Sequence, residues 1–286
     1  MATLDYKIDF AVVLSVTKAN PNGDPLNGNR PRQNYDGYGE ISDVAIKRKI
    51  RNRLQDMGEA ILVQSNDRKN DSYGSLKERA EANPELAQIM KSKTSSSEQF
   101  AKIACEQWID VRSFGHVFAF KGDRGSGVSV GVRGPVSIHT ATSIEPIDIT
   151  SLQITKSVNS EPGKERGSDT MGMKHRVDYG TYVFYGSINT QLAEKTGFTD
   201  KDVQQIKQAL ITLFENDASA ARPDGSMEVH KVIWWEHNSK LGQYSSAKVH
   251  RLLQVKSTID RPKQISDYDI TVDALDGLKV EILDGL

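Results

Sequence analysis

The order of hydrophobic patterns along the 286-residue chain predicts an α+β fold built on a βαββαβ core. Three observations predict it. A β-branched run at residues 7–17 leads, through a loop rich in Gly, Asn and Pro, into a basic amphipathic helix at 42–57. Alternating and aromatic strand patterns recur between 110 and 189. A second amphipathic helix at 199–216 then precedes a strand at 227–235.

In chain order, K-I-D-F-A-V-V-L-S-V-T (7–17) is short, β-branched and aromatic, as a largely buried strand is. The loop reads T-K-A-N-P-N-G-D-P-L-N-G-N-R-P-R-Q-N-Y-D-G-Y-G. Ser42 then suits an N-cap, Asp43 suits the positive end of the helix dipole, and Ile46, Ile50, Leu54 and Met57 form one apolar stripe. At 100° per residue, Lys47, Arg48 and Arg51 fan along one flank of that stripe, with Lys49 and Arg53 on the other. Five cations in seven residues can bind a row of phosphates or form a solvated helix face, and residue spacing alone leaves the two readings even.

Residues 58–108 read as an insertion. Residues 61–63 suit a short strand, 66–81 and 92–97 are polar, and 84–90 and 97–108 are helical. Residues 110–120 pair an Arg-containing turn with an aromatic strand, 128–138 and 147–157 alternate as strands, and 175–189 is aromatic and strand-like. Between the last two lies a polar excursion at 159–174 with three glycines and a proline, long for a hairpin connection and therefore suggestive of function. Thr199 and Asp202 open the second helix in capping-box fashion, with Val203, Ile206, Leu210, Leu213 and Phe214 along one face. A short helix at 245–253 and one or two edge strands in the tail complete the chain. Without the insertion, the order is that of ferredoxin-like and RNA-recognition-type domains.

Net charge is −1, so the chain is not globally basic, and any anion-binding surface is local. Charge is nevertheless uneven: residues 267–286 hold six acidic side chains and one lysine. The single cysteine, Cys105, rules out an internal disulfide framework and a cysteine-based zinc site, and its setting in F-A-K-I-A-C-E-Q-W marks a buried small residue. The six histidines form neither H-E-x-x-H nor H-x-x-x-H, so no metal or other cofactor is expected. The opening residues lack the apolar region of a signal peptide and no apolar run approaches a membrane span, which predicts a soluble cytoplasmic protein without membrane partners.

Gly127-Val128-Ser129-Val130-Gly131 matches a serine-hydrolase elbow in letters only, because strand pattern rather than helix follows it. More telling are Lys156, Lys164, Arg166, Lys174, His175 and Arg176 around Met171 and Met173: an arm whose cations suit phosphates and whose methionines suit wedging between bases. Arg112, Phe114 and His116 suit stacking on nucleotides from a sheet surface, whereas Phe118 and Phe120 read as core. Lys18, Arg30 and Arg32, in or beside the first loop, complete the RNA-binding candidates.

The first strand, the loop T-K-A-N-P-N-G-D-P-L-N-G-N-R-P-R and the helix I-K-R-K-I-R-N-R-L together resemble the RNA-cradling backbone subunit (RAMP superfamily) of type I CRISPR surveillance complexes (Cascade), most closely the type I-C form. D-V-R-S-F-G-H-V-F-A-F, G-V-R-G-P-V-S-I, M-G-M-K-H-R-V-D-Y-G-T-Y and W-W-E-H-N-S-K-L-G extend the resemblance over nearly the whole chain. It implies a hand-shaped, RNA-recognition-like subunit with a palm (1–57 and 109–286), helical fingers (58–108) and a thumb hairpin (156–176). It further implies a non-catalytic protein whose copies stack head to tail along a guide RNA. They would hold its backbone through Lys18, Lys47, Arg48 and Arg51 and wedge Met171 and Met173 at a displaced nucleotide. Bases between would be left to pair with target DNA, and the partners would be the guide-capping, large and small Cascade subunits. Type III relatives cut RNA with an aspartate in the loop after the first strand. Asp24 lies in the equivalent loop, so a ribonuclease remains an alternative, as does a general RNA chaperone; as a turn former before Pro25, Asp24 has a structural reading too.

Overall fold

A computed structural model describes residues 4–92, 96–121, 127–155 and 171–286. Strand β1 (Ile8–Ala19) leads through two short paired segments, β2 (Gly23–Asp24) and β3 (Arg30–Pro31), to β4 (Tyr38–Ile41) and helix α1 (Asp43–Asp56). Helices α2 (Leu76–Glu81), α3 (Pro84–Lys91), α4 (Ser97–Gln107) and α5 (Ile109–Phe114) follow, then the paired strands β5 (Gly115–Lys121) and β6 (Gly127–Arg133). Strands β7 (Val136–Ile138), β8 (Ala141–Pro146), β9 (Ile149–Thr155) and β10 (Met171–Ile188) return the chain to the main sheet. Helices α6 (Thr190–Thr196) and α7 (Asp200–Ile211), strand β11 (Met227–Glu236), helix α8 (Ser246–His250), the pair β12 (Leu253–Ser257) and β13 (Tyr268–Val272), and β14 (Lys279–Asp284) complete it.

The result is a mixed α/β molecule with a large antiparallel sheet of order β14-β11-β1-β10-β8-β4, to which β7 and β9 add by pairing with β10. Both faces of the sheet are covered, which is why β1 is almost continuously apolar. Phe10, Val12, Leu14 and Val16 face Phe184, Trp234, the α1 stripe of Ile46, Ile50 and Leu54, and Val203, Ile206 and Leu210 of α7. Phe10 stacks on Trp234 with ring centroids 5.4 Å apart. Ala11 and Val13 face the other way, towards Trp235, Val249 and Leu252. Lys18 interrupts this alternation. Its left-handed backbone (φ 52°) leaves Thr17 and Lys18 both exposed and returns Ala19 to the core.

A separate core joins α2, α3 and α4 to the β5–β6 pair through Phe100, Trp108, Phe118 and Val130. Phe118 is fully buried and Phe120 packs at the margin, as their alternation suggested. Cys105 is buried here, which pushes its thiol up to about 11.

Three expectations need correction. Residues 61–63 form no strand: Asp110 accepts from the backbone N–H groups of Leu62 and Val63 (2.8 and 3.1 Å), while Arg79 and Arg48 donate to their carbonyls (2.8 and 2.6 Å). Side chains satisfy this backbone where a neighbouring strand was expected. The strand pattern at 128–138 is two strands, because Pro135 lacks a ladder donor and a side chain at Gly134 would strike the Ser113 carbonyl. Residues 109–114 are helical where a turn was expected, which places Arg112 and Phe114 on α5 and off any sheet surface.

Candidate nucleic-acid interface

The cations of α1 do not form the free row that their spacing suggested. Ser42 caps the helix through Ala45 N (3.3 Å), and Lys47 pairs with Asp43 one turn earlier (2.9 Å). Arg48 donates to the Val63 carbonyl, and burial lowers its pKa. Lys49 is buried against Asp217 and over the Phe214 ring, and desolvation pushes its pKa down to about 8. Arg51 bonds Asp110 at 3.0 Å and lies over Phe114, and Arg53 donates to Thr212 Oγ1 at 2.7 Å. The physical reason is position. Helix α1 is wedged between the sheet, α7 and the segment at 61–63, so long cationic stems on its flanks meet protein before they meet solvent.

Arg112, Phe114 and His116 are likewise drawn inward. Arg112 bonds Asp202 at 2.7 Å and the Cys105 carbonyl at 3.3 Å. Phe114 packs against the main core beneath Arg51. His116 is half-buried with its ring edge-on to Phe118 (centroids 4.7 Å apart), and burial lowers its pKa. These three do not form one exposed stacking surface.

A different group is brought together at the base of a two-stranded ribbon. Strands β9 and β10 pair from Ile149↔Val177 to Thr155↔Met171, so Met171, Met173 and His175 share one face, and Lys174 lies on the other with Leu152 and Ile154. Met171 and Met173 are 56% and 55% exposed. Arg30 Nη1 donates to Ser151 Oγ at 2.8 Å, and His175 Nδ1 lies 2.8 Å from the same oxygen. Thus Arg30 and His175, 145 positions apart in the chain, meet at the root of the methionine face. Arg32 stands close by in sequence, paired with Asp24 at 3.6 Å. Lys156, and the stretch 156–170 of the expected thumb, lie outside the described residues.

Lys18 borders a separate cleft of about 690 Å³ beside the ribbon root, lined also by Asp178, Tyr179, Arg261, Lys263 and Tyr268. Arg261, like Lys18, is a non-glycine residue in the left-handed region (φ 54°). Sequence reasoning missed Arg261 and Lys263; the signal available was a turn, D-R-P-K, between two short strand patterns. It also missed the exposed Leu152 and Ile154, whose alternation in I-T-S-L-Q-I-T reads as core until the partner layer proves absent among the described residues. Asp24 behaves as a turn former: its Oδ1 accepts from Leu26 N at 3.2 Å. The Gly127–Gly131 stretch is strand, which removes the hydrolase elbow.

The family sequence model described as "CRISPR-associated protein Cas7" matches residues 6–273. The chain belongs to that family. A curated relative from Haloferax volcanii, "CRISPR-associated protein Cas7", is 27% identical over 220 residues, covering 72% of this chain. This chain spans 63% of the length of that relative. Two solved structures show a looser likeness. A chain of a "CRISPR RNA-guided surveillance complex, pre-nicking" is 14% identical with TM-score 0.48, covering 80% of this chain and 78% of its own. A chain of a "CRISPR RNA-guided surveillance complex" is 16% identical with TM-score 0.45, covering 80% and 68%. In this Cas7-family chain, no described helix is long and apolar enough to cross a membrane.

Proposed function

We propose that the chain is a non-catalytic backbone subunit of a type I Cascade, of the type I-C form, that holds a guide RNA by its sugar-phosphate backbone and presents bases to target DNA. The observation that carries this reading is the ribbon, which exposes Met171 and Met173 on the same face as His175 and is rooted on Arg30. In a Cas7-family chain, a two-stranded ribbon with exposed methionines on one face and Arg30 at its root is suited to wedging between bases while gripping phosphates. In this reading the sheet strands β11-β1-β10-β8, with α1 and α7 packed on one face, are the RNA-recognition-like palm, α2–α4 the fingers and the β9–β10 ribbon part of the thumb. Copies stack head to tail along the guide, and the other Cascade subunits cap and brace the filament. Sequence is read by pairing between guide and target, so the protein's own contacts are to backbone and shape. Asp24, occupied with the Leu26 N–H and Arg32, serves the loop geometry and no cleavage step.

Relative to the expectation, phosphate binding in this reading moves off the middle of α1 to Lys47, the loop after β1 and the β9–β10 ribbon. We assign backbone contacts to Lys47, Lys18, Arg30, Arg32 and Lys174, with His175 beside Arg30, while Arg48, Arg51 and Arg112 hold the protein together. The test is the double variant Arg30→Ala with His175→Ala. Its affinity for single-stranded RNA should fall, and the slope of log affinity against log salt should shrink by about one phosphate contact. An unchanged affinity and slope would remove this face from the interface.

A further inference from the structure

Two side chains on the loop at residues 20–38 stand out for their exposure: Leu26 at 98% and Tyr35 at 104%, in a molecule whose other aromatic rings are mostly packed. The loop beneath them is tightly fastened. Asn34 Oδ1 accepts from the N–H groups of Asp36 (3.0 Å) and Tyr38 (2.9 Å), and the Asn34 N–H donates to the Tyr38 carbonyl at 2.8 Å. Gly37 turns the chain with φ 84°, and Gln33 Nε2 donates to the Gly37 and Ile147 carbonyls (3.0 and 3.1 Å). At the other tip, Asp24 fixes Leu26 N, and Asn20 Nδ2 donates to the Asn29 carbonyl at 2.7 Å. A floppy loop would let an aromatic ring fold back onto apolar surface. This one holds the ring out.

The loop is also bound to the ribbon root, through Gln33 at Ile147 and Arg30 at Ser151. Along the loop, its two exposed apolar side chains are separated by Arg30 and Arg32. Single apolar side chains interspersed with cations suit single-stranded nucleic acid, in which bases alternate with phosphates, better than a protein partner, which favours contiguous apolar area.

We infer that Tyr35 is a stacking platform for an unstacked base of single-stranded RNA, with Leu26 as a second apolar contact on the same loop. The inference rests on the RNA-binding reading above and adds, beside the methionine wedge, a base contact on the loop after β1. A pre-positioned ring loses little rotamer freedom on binding, and stacking on it is indifferent to base identity, as a guide-holding surface requires.

The test uses the purified chain, a 12-nucleotide polyadenosine RNA and an abasic ribose-phosphate oligomer of equal length, read by fluorescence anisotropy at two salt concentrations. Tyr35→Ala should weaken polyadenosine binding about tenfold or more. Tyr35→Phe, which keeps the ring, should bind as the parent does. The salt slope should be the same for all three proteins, since no phosphate contact is removed, and the abasic oligomer should not distinguish parent from Tyr35→Ala. Since the ring is exposed, the thermal midpoint should not move. Equal polyadenosine affinity for parent and Tyr35→Ala would overturn the stacking role while leaving the RNA reading intact. A parent chain that binds neither oligomer would overturn both. Loss of self-association with unaltered RNA affinity would assign Tyr35 to a protein contact and overturn the inference.

Discussion

Asp110 shows how a single side chain can decide what a charged helix is for. It is 1% exposed and receives three donors: the Leu62 and Val63 backbone N–H groups and Arg51 Nε. Through it, α1, α5 and the start of the helical section are tied at one point, so Arg51 is spent on structure. Asp110→Asn should cost about 3–5 kcal/mol, because it removes a fully buried carboxylate, leaves the half-buried Arg51 guanidinium without its counter-charge and turns an amide group towards backbone donors. Urea unfolding checks this, and a loss below about 1 kcal/mol would show that the clamp is not what holds α1. Lys47→Ala is the contrast. Its pair with Asp43 is solvent-facing, so stability should change by no more than about 0.5 kcal/mol. No spacing rule distinguishes Lys47 from Arg51. The distinguishing partner lies 59 residues away, and that is why the sequence shows five cations without showing which are free.

Elements were legible where their signals are local. Helix α7 begins at the Thr199/Asp202 capping box and buries Val203, Ile206 and Leu210 as spaced, but it ends at Ile211, so Leu213 and Phe214 of the expected stripe lie in the turn beyond it; α4 buries Phe100, Ile103 and Ala104. Elements set by distant contacts were not. Leu62 and Val63 lack a ladder because Asp110, Arg48 and Arg79 reach them from elsewhere, and α6 carries too short an apolar pattern to be read. The docking of α8 is another non-local feature. His250 sits within hydrogen-bond reach of the Gly186 carbonyl on β10 (3.1 Å) and stacks on Tyr185, while His230 meets Ser15 across β1 and β11 (2.8 Å). Burial lowers the pKa of both imidazoles, and of His116, below the ordinary value near 6.5. Above that pH, folded and unfolded chains are both neutral at these positions. As pH falls through about 6.5, the unfolded chain takes up protons that the folded chain does not, so stability is lost. The urea midpoint should therefore drop between pH 7.5 and 5.5, and His250→Gln should reduce the drop. A midpoint that rises on acidification would contradict the assignment of these histidines as buried and neutral.

At the scale of the whole molecule, the sheet, its two covered faces and the helical section were foreshadowed by the order of strand and helix patterns, because each pattern reports a face that must be buried. The proposed RNA-facing surface was legible only in part. Met171, Met173, Lys174 and His175 lie on the β9–β10 ribbon, but Arg48, Arg51, Arg112 and Phe114 turn inward, and Tyr35, Leu152 and Ile154 turn outward without having been singled out. For the proposed role, a near-neutral chain suits repeated packing along a polyanion, since a strongly charged subunit would repel its own copies. The most direct measurement is the mass and the 260/280 nm absorbance ratio of the chain purified natively from cells that make it with its guide and partner subunits. A large particle, rich in nucleic acid and containing several copies per short RNA of defined length, is the expected result. A nucleic-acid-free monomer under those conditions would contradict the proposal that this chain is a guide-RNA backbone subunit.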